Sequence, residues 1–371
     1  MIKIMTEIRS AIIVFAVIGV IITGVSIYFN SIQTGNNISF ESVIIDDSST
    51  KINKLNFPKA PELRGINGYI NTEPLTITDL EGKVIIVDFW TYTCINCIRT
   101  IPYLNAWHEK YSDDGLVILG VHAPEFNFEK DYKNLKAAVE KFEIKYPVLQ
   151  DNEMSTWKAY KNNFWPHKYI IDHEGFIRYD HIGEGAYEKT ESIIQELLNE
   201  RSISFGINID ITKDMVSPDE TIDVNFSKIH TREIYLGYDF GSELGNKEEL
   251  IQNKITSFSV VENIIPNKVY LEGTWKNNRD HVELMSETGK VFLNYNAKAV
   301  NIVAVGDSIL MVKLDNTLIN NSISGKDVNN SKVRILEERM YNLVFNEGYG
   351  KHLIEMELKG KGFKLYTFTF G

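Results

Sequence analysis

Cys94 and Cys97 are the only cysteines in the chain, and they form one Cys-x-x-Cys directly after the apolar run Val84-Ile85-Ile86-Val87-Asp88-Phe89-Trp90. A structural disulfide framework uses several dispersed cysteines, and a zinc site needs a second pair of ligands at short spacing. Neither pattern is present, so the spacing points to a redox-active dithiol.

A strand that runs into Cys-x-x-Cys and then into a helix puts Cys94 at the helix N-terminus, where unpaired N–H groups and the helix dipole favour a thiolate. Cys94 is then the nucleophile. Cys97, three residues on, shares its helical face and can resolve a mixed disulfide formed at Cys94. The exchange needs no cofactor beyond the Cys94–Cys97 disulfide itself. The plainer alternative is a pair of buried thiols or an inert local disulfide.

Three neighbouring features bear on this chemistry. Asp88 interrupts the apolar strand; if buried it would carry a raised pKa and could take or return the Cys97 proton, whereas at an exposed strand end it would do neither. Alternation alone leaves its face open. Trp165-Pro166 precedes a second apolar strand, and a cis X–Pro bond there would offer a loop edge to a substrate backbone, while a trans proline would merely open the strand. Pro166 with Trp165 and Trp90 makes the candidate substrate-contacting set.

His122 and His167 suit a copper site with the cysteines, although a histidine on an apolar strand is more often structural. Thr91, three residues before Cys94, superficially suits a peroxidase cysteine, but Val87 and Asp88 stand where the turn proline of such a site belongs.

The elements that must hold these residues follow from hydrophobic periodicity. Strands are expected at 84–90, 116–122, 146–149, 168–172 and 176–182, and helices at 98–111, 130–142, 154–160 and 190–201. Such alternation implies a helix-covered sheet, here spanning residues 58–203. From 204 to 371 the chain turns to short β-rich segments, among them 221–226, 290–295, 299–305, 340–345 and 351–358, separated by turn signals such as Glu287-Thr288-Gly289 and Asn346-Glu347-Gly348, the pattern of an all-β antiparallel sandwich.

Residues 11–29 form an uncharged apolar run long enough to cross a bilayer as one helix, and longer than the apolar region of a typical cleaved signal peptide. Lys3 and Arg9 precede it, which leaves residues 1–10 in the cytoplasm and everything after the run outside. Residues 30–57, polar and aperiodic, read as a tether. The dithiol then lies in a compartment where disulfides persist. Asn-x-Ser/Thr triplets at Asn37, Asn225, Asn320 and Asn329 fall on the same side. The 371-residue chain has a net charge of −11 and no basic stripe interleaved with aromatics, which argues against a nucleic-acid partner.

The strings FWTYTCINCIRTIPYLNAW, GVHAPEFNFEKD and NNFWPHKYIIDHEGFIRYDHIGEGAY resemble the thioredoxin-like domain of DipZ-type thiol–disulfide interchange proteins and, more broadly, the membrane-tethered TlpA and ResA group. TREIYLGYDFG, VYLEGTW and HLIEMELKGKGFKLYTFTFG resemble the β-sandwich that follows in DipZ proteins, which is jelly-roll-like and similar to carbohydrate-binding modules. The resemblance implies Cys94 as attacking and Cys97 as resolving cysteine, Asp88 at the buried-acid position, Pro166 at the cis-proline position, and an inserted helix between Gly120 and Val148. Many DipZ proteins begin with a multi-helix electron-carrying membrane domain, whereas this chain offers one apolar span, so the resemblance implies a separate membrane electron partner.

The expectation is therefore a single-pass, membrane-anchored, extracytoplasmic oxidoreductase acting on protein thiols and disulfides. Competing classes are a copper chaperone, a glycan-binding surface protein and a thiol peroxidase. Trp275, Tyr270, Tyr235 and Tyr238 are the aromatics a sugar would stack on, although strand aromatics are more often core.

Overall fold

The computed structural model describes residues 54–371 apart from 210, 220, 242–243 and 260–262. The apolar run 11–29 and most of the segment 30–57 lie outside the described residues. Among the described residues, no helix is long and apolar enough to cross a membrane.

The first domain is built on strand β2 (Val84–Trp90), whose seven residues are all buried. A strand covered on both faces reads as a continuous apolar run, which is why Val84–Phe89 shows so little polar alternation. β2 pairs in parallel with β3 (Leu116–His122) and antiparallel with β5 (His167–Ile171). The six-stranded sheet is completed by β1 (Gly68–Ile70), β4 (Val148–Gln150) and β6 (Ile177–Ile182), in the order β1-β4-β3-β2-β5-β6.

Val84, Ile86 and Trp90 pack with Ile101, Leu104 and Trp107 of helix α1 (Ile95–Tyr111). They share that core with Leu135 of α2 (Tyr132–Lys141) and with Ile194, Leu197 and Leu198 of helix α4 (Tyr187–Phe205). Ile85, Val87 and Phe89 face the other way, onto Trp157 of α3 (Ser155–Ala159), Tyr160 and Tyr169. α2 lies in the Gly120–Val148 segment, where an inserted helix was expected. α4 ends at Gly206, whose φ of +64° makes the left-handed cap that releases the chain toward the second domain.

Besides the strands described below, the second domain contains β7 (Ile234–Tyr235), β8 (Ile255–Phe258), β12 (Ser308–Leu314), β13 (Thr317–Leu318) and β14 (Lys332–Ile335), and its named strands pair antiparallel throughout. Two sequence readings change here. The expected strands 290–295 and 299–305 are one strand, β11 (Thr288–Val305), and 340–345 joins 351–358 in β15 (Arg339–Lys359). Asn346-Glu347-Gly348 does not reverse the chain because β15 stays paired to β11 on both sides of it, with a register shift between Ala297 and Ala299 absorbing the extra residues.

β11 pairs β9 (Val269–Asn277) through its first half and β16 (Lys364–Phe370) through its second. β10 (Val282–Leu284) joins β9 to β16 and closes that ring. The hydrogen bonding is thus one continuous sheet bent on itself, where two separate sheets were expected. Residues 221–226 are not a strand: the Asn225 side chain accepts the Ser227 N–H at 3.1 Å and starts a short 3-10 turn.

Candidate redox site

Alternation along β2 settles the face of Asp88. It projects to the side of Val84, Ile86 and Trp90, beneath α1, and is 2 % exposed. Its Oδ1 has no hydrogen-bond partner. Burial in this apolar layer pushes its pKa up to about 7, against an opposing pull from Lys168.

Cys94 is the N-cap of α1, with extended backbone angles, and its Sγ accepts the Cys97 N–H at 3.4 Å. It is half-buried, whereas Cys97 is 1 % exposed. Burial, with the neighbouring Cys94 sulfur as the next cause, raises the Cys97 thiol well above the ordinary thiol value. One sulfur therefore faces solvent and the other faces the core. The Trp165–Pro166 bond is cis, and the Trp165 carbonyl lies 3.9 Å from the Cys94 Sγ. Pro166 itself is buried, and its carbonyl accepts the Gly183 N–H.

The loop carrying the dithiol is anchored by a residue that the sequence reading missed. Glu129 is fully buried and accepts the Thr91 and Thr93 hydroxyls at 2.6 and 2.5 Å on one oxygen, and the Glu125 and Phe126 N–H groups at 2.6 and 2.9 Å on the other. The Thr91 hydroxyl is thus committed to a structural bond. A carboxylate directly after a Phe-x-Phe, in Phe126-Asn127-Phe128-Glu129, is the signal that could have found it.

Lys168 was also missed. It is 0 % exposed, lies opposite Asp88 in the β2–β5 register, and donates from Nζ to the Gly183 carbonyl at 3.2 Å. Burial lowers its pKa while the charges of Asp88 and Cys97 raise it. A lysine inside a strand of Tyr, Ile and Ile reads as an edge residue until the register shows its partner.

Other expected site residues fall elsewhere. Trp90 is 1 % exposed and meets His122 edge-on within the core, so it forms no part of a substrate-facing rim. Trp165 is half-buried, packs at a tilt against Trp157 with ring centroids 4.3 Å apart, and donates to the Ala123 carbonyl at 2.9 Å. His122 stacks on Tyr92, lies 3.3 Å from the Thr91 hydroxyl, and is held by burial down to about 3. His167 bonds Asn162 and Asp180. Among the described residues no group of three or more His, Cys, Asp or Glu side chains is placed to hold a metal ion.

The second domain reaches this site. Phe126 and Phe128, from the loop that Glu129 holds, pack on Tyr366 at centroid distances of 5.1 and 5.0 Å. Val303, Met340 and Tyr366 belong to the same buried cluster as Trp90 and Cys97. Tyr235 donates to Glu233 at 2.9 Å and packs near Phe126, and burial, then the Glu129 charge, pushes Glu125 up to about 8. Of the aromatics considered for sugar stacking, Trp275 and Tyr270 are core residues at 0 % and 3 % exposure, Tyr235 faces the first domain, and Tyr238 is half-buried.

Residues 58–180 match the AhpC/TSA family, and residues 231–371 match the thioredoxin-like C-terminal domain family. Protein DipZ of Mycobacterium tuberculosis is 31% identical over 315 residues, covering 84% of this chain and 43% of that protein. The likeness is to the DipZ and TlpA-like thiol–disulfide proteins. It extends across both domains of the DipZ-like chain, which nevertheless spans less than half the length of DipZ. The first domain is also similar to thiol-disulfide oxidoreductase YkuV of Bacillus subtilis, 26% identical over 38% of this chain and 94% of that one. NHL repeat-containing protein 2 of Bos taurus is 42% identical over 36% of this chain and 18% of that one. The chain thus has a thioredoxin-like α/β domain followed by a β-rich C-terminal domain.

Proposed function

We propose that the chain is a membrane-anchored, extracytoplasmic thiol–disulfide oxidoreductase that exchanges disulfides with protein cysteines through Cys94 and Cys97. The observation that carries this reading is the asymmetry of the pair: a half-buried Cys94 sulfur at the start of α1 beside the Trp165 carbonyl, and a buried Cys97 in the field of Asp88.

In the reducing direction, the Cys94 thiolate attacks a substrate disulfide, forms an intermolecular S–S bond and releases one substrate thiolate. The Cys97 thiol then gives its proton to the Asp88 carboxylate and attacks the Cys94 sulfur. The intermolecular bond breaks, the second substrate thiolate leaves, and a Cys94–Cys97 disulfide remains. The substrate gains two electrons and the protein loses two. A separate thiol donor at the membrane restores the dithiol; with an oxidising partner the same steps run backwards.

The anchoring and location rest on the apolar run 11–29 and the preceding Lys3 and Arg9. An impermeant thiol reagent applied to intact cells should label Cys94. Trapping tests the chemistry: Cys97→Ser should accumulate mixed disulfides at Cys94 and Cys94→Ser should accumulate none, and the reverse pattern would remove the assignment of roles.

A further inference from the structure

Arg99 lies on α1 two residues after Cys97, and its guanidinium holds two parts of the redox site at once. Nη2 donates to the Asn96 side-chain carbonyl at 2.7 Å, and Asn96 is one of the two residues between the cysteines. Nε donates to the two Glu184 oxygens at 3.1 and 2.8 Å, and Nη2 donates to the same carboxylate at 2.5 Å. Both side chains are almost fully buried, at 7 % and 6 % exposure. A forked bond from guanidinium to carboxylate fixes orientation as well as distance, which a lysine ammonium in this place would not do.

Glu184 stands in the loop that holds the other side of the site. The preceding Gly183 donates its N–H to the Pro166 carbonyl at 2.8 Å, and its own carbonyl accepts the Lys168 ammonium at 3.2 Å. Trp165, whose carbonyl lies 3.9 Å from the Cys94 Sγ, belongs to the segment that Gly183 holds. Gly183, Gly185 and Ala186 have φ of +85°, +91° and +48°, so the loop runs through the left-handed region. For Ala186 that conformation costs free energy, which the bonds around it offset. What the loop binds therefore decides its shape.

The second domain closes over the same guanidinium. The Gly371 backbone is bonded to Lys298 and Ala299, and a Cβ on Gly371 would stand 2.7 Å from Arg99 Nη1. A side chain there would displace a guanidinium that its bonds to Asn96 and Glu184 hold in place. Burial raises the Glu233 carboxyl, and the Tyr235 hydroxyl and the Arg99 charge oppose it, so a second-domain acid also feels this cation.

We propose that Arg99 and Glu184 are positioning residues that set the gap between the Cys94 sulfur and the Trp165 carbonyl, and that the second domain keeps Arg99 in place through Gly371. A substrate disulfide must enter that gap to be attacked. The clamp rests on the oxidoreductase reading and adds to it the means by which the second domain acts on exchange. Its work is alignment, and no proton or electron passes through it.

Two reactions of Cys94 separate alignment from reactivity. In the full chain carrying Cys97→Ser, its attack on a peptide disulfide would be compared with its alkylation by iodoacetamide, which needs no docking. Arg99→Met, Glu184→Gln and the two together should each slow attack on the peptide about tenfold and leave alkylation within about twofold of the parent. The double variant leaves no unpaired buried charge, which keeps the comparison open if melting curves show that Arg99→Met alone does not fold. Gly371→Ala should give the same selective loss from the second-domain side. Attack and alkylation falling together would mean that Arg99 acts on the thiolate through its charge, and would overturn the proposal. Unchanged attack in the folded variants, or a Gly371→Ala protein indistinguishable from the parent, would overturn it too. A parent whose Cys94 is alkylated but attacks no peptide disulfide would instead count against the oxidoreductase reading alone. The clamp would then be read from hydrogen exchange at residues 183–185, which should speed up about tenfold in Glu184→Gln, and unchanged protection there would overturn it.

Discussion

Asp88 and Lys168 sit directly opposite each other on adjacent antiparallel strands, both buried, beneath the helix that carries the dithiol. Neither charge has water to solvate it. Burial pushes the acid up and the lysine down, while each charge favours the other's ionised form. The outcome is a carboxyl that changes charge near neutrality, held at about 7, in the field of a resolving thiol raised by its own burial. In the proposed role of base accepting the Cys97 proton, Asp88 would work only when ionised. The rate of mixed-disulfide resolution should therefore rise with pH through about 7, and Asp88→Asn should abolish that inflection and slow the step by roughly 10²-fold. Single-turnover release of substrate thiol between about pH 5.5 and about pH 9, on both sides of the raised carboxyl value, would measure it. An unchanged profile would leave Asp88 a packing role only.

Lys168→Met tests the other half of the pair. Without the buried cation, ionised Asp88 loses its only nearby stabilising charge, and the inflection should move to higher pH by about a unit or more. In an Asp88→Asn background the same lysine change should have little further kinetic effect, because no inflection remains to be moved. Additive losses would mean that Lys168 acts on Cys97 directly, whose charge it also feels.

The dithiol was legible because its chemistry is local: Cys94, Cys97 and the strand-to-helix switch lie within a few residues. The first domain was legible for the same reason, since each apolar strand is bounded by a helix of clear period. Lys168 and Glu129 were hidden because their meaning is set by partners 80 and 38 residues away, Lys168 in register with Asp88 and Glu129 bonded to Thr91. Trp90 looked like a rim residue beside the cysteines, yet a central strand buries every side chain it carries. In the second domain, turn-forming residues inside β15 suggested a hairpin, but pairing with β11 on both sides of them keeps the strand whole.

Glu129 links the dithiol loop to the interdomain loop through four accepted hydrogen bonds. Glu129→Ala leaves two threonine hydroxyls and two backbone N–H groups without their acceptor. Stranding such groups should cost roughly 3 kcal/mol of unfolding free energy by urea titration. A loss within experimental error would show that solvent replaces the carboxylate freely.

Asp88 and Glu125, two of the raised carboxyls, each contribute a pH-dependent part of the stability. Asp88, at about 7, and Glu125, at about 8, each hold a proton in the folded chain that the unfolded chain has already released. Between the ordinary carboxylate range and these values each of the two stabilises the fold less as pH rises, whereas His122, held down to about 3, contributes the opposite slope below the ordinary histidine range, so the two carboxyls are read as differences between parent and variant. Asp88→Asn should flatten the part below about 7, and Glu125→Gln the part extending to about 8. Variants whose denaturant midpoints track the parent at every pH would contradict the protonation scheme.

Tyr366 is where the second domain bears on the redox loop. It is 4 % exposed and touches Phe126, whose backbone N–H Glu129 accepts, and Phe128, the residue just before Glu129. Tyr366→Ala removes an aromatic from this junction and should destabilise the protein by about 3–5 kcal/mol, the range for a large buried ring. The loss should also be local. The loop 123–131 would open more often than the β2–β3 pairing, since its anchorage is shared between domains while the strand pairing is not. Hydrogen exchange in the Tyr366→Ala protein should accelerate first in that loop and in residues 91–94, with β2 and β3 remaining protected. Uniform acceleration across the first domain would mean that the two domains unfold as one unit, and that the second domain supports the whole fold and not the dithiol loop in particular.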